Sequence, residues 1–451
     1  MTDQQLAEAV AQGGRLRALV LELWQRTRMD WGFVTDRLAQ AFRRETWVGS
    51  HERRFVGEVV YGLVRHLRRV DLAVARGRKT KQSPRDLERL LALLVIEKML
   101  PAERAARVVP DLDWRAVAGV DDAIAGERDT TARIALQTSL PDWLAKRLVA
   151  DWGDQADALA RSLNQRAPMT VRANLLVGDR DALALSLDGA GLATRAGAWS
   201  DTALVIETRT NLFGLDAFKR GALEAQDEGS QLLADLVVAC AGDRAKPTIV
   251  DYCAGAGGKT LAIAARLHNR GRIIATDVDG KKLEELRRRA RRATVSNARA
   301  MTIEDGRWPG KSGDRRTRSS AAGGAQVDDV DSLRGKADVV FVDAPCSGVG
   351  ALRRNPEARW RLREDDITTF AARQREILSA ARELCAPGAR LVYATCSLLR
   401  AENDDVVAGM PFVKLSEVWG SRATALGDGD SLVVAPHTHN TDGFYARVLQ
   451  T

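Results

Sequence analysis

Between Thr248 and Ser397 the chain alternates short apolar, β-branched runs with longer segments of helical period. Thr248 to Val250, Arg272 to Thr276, Asp338 to Val342 and Leu391 to Tyr393 read as buried strands, because continuous apolar runs of that length suit a sheet covered on both faces. Leu261 to Leu267 and Lys281 to Ala293 read as helices. So does a long stretch with Ile367, Phe370, Ala371, Gln374, Ile377, Leu378, Ala381 and Leu384 on one face. The alternation predicts a parallel, doubly wound sheet, and such sheets take ligands at the carboxyl edge of the strands. Two strands end there in a thiol-bearing turn, Asp343-Ala344-Pro345-Cys346 and Ala394-Thr395-Cys396-Ser397. A third opens into the glycine-rich turn Asp251-Tyr252-Cys253-Ala254-Gly255-Ala256-Gly257-Gly258-Lys259-Thr260.

That turn exposes backbone amides at a helix N-terminus. A phosphate-binding P-loop needs glycine where Cys253 sits. A dinucleotide fingerprint needs glycine or alanine where Thr260 sits. Both patterns fail. What remains is an acid on the first strand, the turn, Asp277 about 20 residues on, where a carboxylate holds ribose hydroxyls, and Asp305 after the next strand, placed to meet a base. S-adenosylmethionine, with a ribose, an adenine and a sulfonium but no pyrophosphate, suits such a set. The structural alternative is a tight turn that packs helix on sheet.

A cysteine on a sheet is usually a small buried apolar residue. Cys240 reads that way, as does Cys385 on the buried face of the long helix, and Cys253 reads as loop packing. Cys346 and Cys396 differ, since each follows a strand end beside the glycine turn. Carbon 5 of a pyrimidine is too weak a nucleophile to take a methyl group unaided. Thiolate attack on carbon 6 produces an enamine whose carbon 5 can attack a sulfonium methyl, after which a base removes the carbon 5 proton and the thiolate leaves. Asp343 is placed to hold the pyrimidine edge.

The first 145 residues or so read as all helical. Phe55, Val56, Val59, Val60, Leu63, Val64 and Leu67 form one stripe, and a helix opens at Ser83-Pro84 with Leu87, Leu90, Leu91 and Leu94 inward. Arg53, Arg54, Arg65, Arg68 and Arg69 flank these stripes, as a solvated face or as RNA contacts. Residues 146–225 mix short strands, among them Thr170 to Leu176 and Ala203 to Glu207, with helices. Residues 310–336 are polar and glycine- and serine-rich and read as a flexible insertion. The run Arg287 to Arg292 reads as an exposed helix face.

Lys and Arg number 68 against 60 Asp and Glu, a net charge of +8 that permits a polyanionic partner. No apolar run reaches membrane-spanning length and the N-terminus lacks signal-peptide character. Five cysteines give no CxxC pair, so a reducing, cytoplasmic setting is expected. His437 and His439 lack a third ligand nearby, and no metal is expected. Arg353, Arg354 and Trp360, just after the Cys346 turn, combine cations with an aromatic ring as RNA contacts do; the alternative puts Trp360 in a core.

The chain resembles the RsmB-type (Fmu/Sun) ribosomal RNA cytosine-5 methyltransferases over nearly its whole length. The resemblance rests on Cys253 to Lys259, Asp277, Asp305-Gly306-Arg307, Asp343 to Gly348, and Thr395-Cys396-Ser397 with Glu402-Asn403. Gln226 to Gln231 and Thr441 to Phe444 match as well. It implies a multidomain α and α/β protein: an all-helical NusB-like RNA-binding domain over 1–145, a small linking α/β subdomain over 146–225, and a Rossmann-like methyltransferase domain over 226–451. It implies Cys396 as the nucleophile on carbon 6, Cys346 in product release, Asp343 against the cytosine, and Lys259 near cofactor and base. Cys253, Ala254, Gly255, Ala256, Gly257, Gly258, Lys259, Asp277, Asp305 and Asp343 would line the S-adenosyl-L-methionine site. The implied partner is 16S ribosomal RNA of the small subunit, with no membrane, and a monomer is the default expectation. Gly255-Ala256 departs from the family's Ala-Pro, and the 310–336 segment is longer than usual. Three alternatives stay open: the same chemistry on transfer RNA, a non-catalytic NusB-like RNA-binding or antitermination factor, and a reversed assignment with Cys346 as nucleophile.

Overall fold

The computed structural model describes residues 1–78, 82–208, 210–303 and 333–451. They divide into two compact units, Met1–Arg166 with Ala351–Glu364, and Ala167–Gly350 with Asp365–Thr451. Among the described residues no helix is long and apolar enough to cross a membrane.

The first unit is built of helices. Phe55, Val56, Val59, Val60, Leu63 and Val64 line the buried face of helix Ser50–Arg65, and Leu67 opens the next helix, Leu67–Gly77. The helix expected from Ser83 begins instead at Asp86 and runs to Ile96. The Glu88 carboxylate accepts from the Arg85 N–H at 2.7 Å, so an acid inside the first turn caps the helix. Leu90, Leu91 and Leu94 are buried as expected. The flanking arginines are committed locally: Arg68 pairs with Asp142, and Arg69 with Glu97 and Asp121.

Residues 351–364 complete this unit. The Trp360 ring lies 5.6 Å from that of Trp31, and its Nε1 donates to the Val64 carbonyl at 2.9 Å. Arg359 is fully buried, with Nη1 donating to Thr138 O at 2.8 Å and Asn164 Oδ1 at 2.6 Å. Arg353 is 2 % exposed, and its carbonyl accepts from Arg65 Nη2 at 2.9 Å. Arg353 is thus buried, and the half-buried Trp360 packs on Trp31 and bonds to Val64, which is the core placement offered above as the alternative for Trp360. Arg354 is half-buried in the same segment.

The second unit holds two sheets. Strands β1 (Met169–Ala173), β2 (Thr194–Ala196), β3 (Ala203–Ile206) and β4 (Leu223–Ala225) form a small antiparallel sheet in the order β2-β3-β1-β4. The larger sheet comprises β5 (Thr248–Asp251), β6 (Arg272–Asp277), β7 (Ala298–Thr302), β8 (Ala337–Asp343), β9 (Cys385–Thr395), β10 (Phe412–Val413), β11 (Ser431–Val434) and β12 (Phe444–Gln450). Its order is β10-β12-β9-β8-β5-β6-β7, with β11 on β12. The β7-β6-β5-β8-β9 block is parallel, as the alternation predicts. The last strand, β12, pairs antiparallel with β9, β10 and β11, so the whole sheet is mixed. Helices Glu228–Ala241 and Gly258–Arg266 pack apolar residues against one face of the parallel block, and Glu364–Arg382 covers the other.

One reading changes in detail. The long helix ends at Arg382, and Cys385 is the first residue of β9 rather than a helical one. Ala386 precedes Pro387, and a residue before proline is steered towards extended backbone. His437 and His439 lie in a short helix, Pro436–His439. Asp305 and the greater part of the 310–336 segment lie outside the described residues.

The basic run is also divided. Arg287 and Arg288 pair with Glu284 and Glu285 on their own helix. Arg289 and Arg292 turn inward to the buried Glu224 of β4. With Asn174 Nδ2 donating to the Ala293 carbonyl at 2.9 Å, these bonds join the small sheet to the large one.

Candidate active site

The carboxyl ends of β5, β6, β8 and β9 converge on one edge. After β5 the chain turns at Gly255 (φ 54°) and Gly257 (φ 83°), both in the left-handed region. A Cβ on Gly257 would lie 2.5 Å from Leu286 Cγ, so close helix packing requires glycine there. A Cβ on Gly255 would meet nothing nearer than Asp277 Oδ2 at 4.0 Å, so this part of the turn faces open space. The turn is pinned from β6: Ala254 N donates to Thr276 O and Gly255 N to Asp277 Oδ2, each at 2.8 Å. Asp277 Oδ1 accepts from Asp279 N at 2.8 Å. Each oxygen keeps a second lone pair for a ligand hydroxyl. Arg289 Nη1 donates to Ala256 O at 2.8 Å, and Gln226 Nε2 to Gly258 O at 3.2 Å.

Lys259, in the first turn of its helix, sets Nζ 2.5 Å from Asp343 Oδ2 and 5.6 Å from the centre of the Phe444 ring. Burial works against the ammonium, but the adjacent Asp343 carboxylate outweighs it and raises the Lys259 pKa; Cys396 adds to the same effect. Beneath lies Asp251. It accepts from Thr260 Oγ1 at 2.5 Å through Oδ2, and its buried Oδ1 has no partner. Burial pushes its pKa up to about 7, against the Thr260 hydrogen bond. Burial likewise pushes the Cys253 thiol well up, which fits a packing role for that residue.

Cys346 and Cys396 come together. Their Sγ atoms lie 3.3 Å apart, and both residues are half-buried. The Cys346 pKa is driven well up, first by its hydrogen bond to Cys396 and then by burial and negative charge that includes Glu402. The loops are tied further by Ala344 N donating to Ala394 O at 2.8 Å and Gly350 N to Cys396 O at 2.9 Å.

All described candidates in the glycine turn and the two thiol motifs therefore share one sheet edge. Arg353, Arg354 and Trp360 belong to the other unit. Sequence reasoning gave no role to Arg289, Gln226 or Phe444, although Gln226 and Phe444 stand in matched motifs; a long polar side chain flanking a glycine turn was the available signal. Among the described residues no group of three or more His, Cys, Asp or Glu is arranged to hold a metal.

Comparison with known proteins agrees with this geometry. A family described as "16S rRNA methyltransferase RsmB/F" matches residues 243–450. A second, "Methyltr_RsmF/B-like, ferredoxin-like domain", matches residues 140–212. The chain is 30% identical over 421 residues to ribosomal RNA small subunit methyltransferase B of Vibrio cholerae, covering 89% of this chain and 90% of that protein. It is 28% identical over 432 residues to the probable ribosomal RNA small subunit methyltransferase B of Synechocystis, covering 88% and 91%. Among solved structures, that of PH0851 is similar with a TM-score of 0.72 at 21% identity, covering 97% of this chain and 99% of that one. NSun6 from Pyrococcus horikoshii, solved with SFG, an S-adenosylmethionine analogue, gives 0.56 at 20% identity over 69% and 98%.

Proposed function

Because the chain belongs to the RsmB/F family of 16S ribosomal RNA methyltransferases, we propose that it methylates carbon 5 of a cytosine in small-subunit ribosomal RNA through a covalent bond from Cys396. The observation that carries this reading is the pair of sulfurs 3.3 Å apart beside the Lys259–Asp343 pair at the sheet edge. The chemistry needs two groups that can exchange a role on one ring, and few other reactions need two free thiols there.

The residues fit S-adenosylmethionine as methyl donor. The turn at Gly255 faces open space, where a ligand has room. Asp277 has lone pairs to spare for ribose hydroxyls. The turn offers amides and no phosphate cradle. The donor supplies an electrophilic methyl on a cationic sulfur; Cys253, Ala254, Gly255, Ala256, Gly257, Gly258, Asp277 and Asp343 are the described residues that would hold it.

Cys396 carries the attack on carbon 6, forming a sulfur–carbon bond and sending the ring's electron pair towards carbon 5. Asp343, held by Lys259, accepts from the cytosine amino edge. After carbon 5 has taken the methyl group and lost its proton, the carbon 6–sulfur bond breaks and Cys396 leaves as thiolate. The carbon 5 proton passes to a base, either water or the Cys346 sulfur 3.3 Å from that of Cys396, as the carbon 6–sulfur bond breaks, and this is the release step given to Cys346. The target base must leave its stack for a thiol to reach carbon 6.

The test is base-resolution methylcytosine mapping of ribosomal RNA from cells with and without the gene, repeated after adding the purified chain and donor. One small-subunit cytosine gained supports the reading; methylation confined to transfer RNA overturns the substrate. Cys396→Ala should abolish turnover and leave no covalent product, whereas Cys346→Ala should accumulate a denaturant-resistant RNA adduct. The opposite pattern reverses the two sulfurs.

A further inference from the structure

Directly after each thiol stands a serine, and both serines turn to one acid. Glu402, in the turn Arg400–Glu402, is fully buried. Its Oε2 accepts from Ser347 Oγ at 2.5 Å and from Ser397 Oγ at 2.6 Å. Its Oε1 accepts from Ser347 N at 2.8 Å and from Gln374 Nε2 at 3.2 Å. Gln374 Nε2 also donates to Pro345 O at 3.0 Å, on the Cys346 loop. The turn itself is fixed: Tyr393 OH donates to Glu402 O at 2.6 Å, Thr395 Oγ1 to Asn403 Oδ1 at 2.6 Å, and Asn403 Nδ2 to Ser397 O at 3.1 Å. Among the described residues no cation pairs with Glu402. Its charge is held by four donors, three of them on the two cysteine loops.

A buried carboxylate is costly unless its oxygens are satisfied. Here satisfaction requires both loops at once. If either moves away, at least one donor is lost to an acid that has no water to replace it. We infer that Glu402 is a positioning residue, a clasp whose carboxylate holds the Cys346 and Cys396 loops together so that both sulfurs address one pyrimidine. What the sulfurs then do rests on the methylation reading above; the clasp itself does not. Its negative charge also favours the protonated form of Cys346, which leaves Cys396 as the reacting sulfur.

The full-length chain serves for the test, with two readouts. The first is the rate at which diamide, which takes up the two protons and two electrons that the thiols give up, links Cys346 to Cys396, identified by peptide mass mapping. The second is the covalent adduct formed in the presence of S-adenosylmethionine on small-subunit ribosomal RNA transcribed with 5-fluorocytidine, whose carbon 5 substituent cannot leave as a proton. Folding is checked by circular dichroism. Folded Glu402→Ala should form the disulfide roughly tenfold more slowly and the adduct about 100-fold more slowly, as expected when reacting groups shift by about 1 Å. Glu402→Gln should restore the disulfide rate to within about threefold of the parent, since its oxygen still accepts from the two N–H donors while the serine hydroxyls rotate to accept from its amide. A parental disulfide rate in folded Glu402→Ala overturns the clasp, as does a Gln variant no better than the Ala variant. If Glu402→Ala does not fold, the double change Ser347→Ala with Ser397→Ala strips one donor from each loop: a slowed disulfide supports the clasp and a parental rate overturns it. A chain that shows the clasp in the disulfide readout yet gives no adduct refutes the methylation reading alone.

Discussion

Two glycines of one turn differ in what a methyl group would meet. Gly257→Ala places a methyl group in a left-handed conformation, φ 83° and ψ 16°, at about 1–2 kcal/mol. The same methyl would lie 2.5 Å from Leu286 Cγ and 2.9 Å from its Cδ1, well inside contact distance. Leu286 is 1 % exposed and packs among Leu261, Ala275 and Leu283, so it can move only by disturbing that cluster, at about 1–3 kcal/mol. Less flexibility in the unfolded chain returns about 0.4–1 kcal/mol, leaving a net loss of roughly 1–4 kcal/mol. Gly255→Ala carries the backbone cost alone, because nothing lies within contact distance; its net loss is about 1 kcal/mol. Its methyl group enters the open side of the turn, where the family motif carries alanine, so donor affinity should stay close to parental. Urea unfolding followed by circular dichroism should rank Gly257→Ala as the less stable variant. Calorimetric titration with S-adenosylmethionine should show little affinity loss in Gly255→Ala. Equal unfolding midpoints would refute the packing argument, and a lost donor affinity in Gly255→Ala would refute the open space read at that position.

Other consequences can be checked directly. Asp251 has a folded pKa raised from 3.8 to about 7, so the fold retains a proton that the unfolded chain has released. Its stabilising effect is complete below about pH 4 and is lost as the pH rises through about 7, on the order of 1 kcal/mol per pH unit. Asp251→Asn should flatten the stability profile across that window, and an unchanged slope counts against it. Lys259→Met removes the cation facing Asp343 and should slow adduct formation on 5-fluorocytidine RNA by about 100-fold, with filter binding of the RNA little changed. Trp360→Ala empties the site between Trp31 and Val64 and should cost the helical unit about 2–4 kcal/mol, read as a lower thermal midpoint; an unchanged midpoint would return Trp360 to the surface.

The parallel block was legible because its strands are short apolar runs, and buried strands permit little else. That Cys346 and Cys396 end such strands could be read locally, and β8 and β9 are neighbours. The clasp was not legible. In Leu398-Leu399-Arg400-Ala401-Glu402-Asn403, an acid beside an arginine reads as solvent-facing. The donors that bury it come from Ser347, Gln374 and Ser397, two of them distant in sequence. The packing of Arg353 and Trp360 was not legible for the same reason. A cationic, aromatic segment after a reactive turn looks like surface until its partners Arg65, Val64 and Trp31 are in view, all of them far upstream. The antiparallel pairing of β12 with β9 is equally non-local, and no periodicity within either strand announces it.

The discontinuity of the helical unit bears on how the chain comes off the ribosome. Domains generally fold amino-terminal first as synthesis proceeds. Here residues 1–166 emerge without the strand of sequence that carries Arg359 and Trp360, and residues 167–350 must be translated before it arrives. Thr138 O, Asn164 Oδ1 and Val64 O wait through that interval for their donors. The nascent 1–166 segment should therefore stay partly open until residues 351–364 are made. A fragment ending near residue 166 should show weaker protection from proteolysis than the same helices in the finished protein.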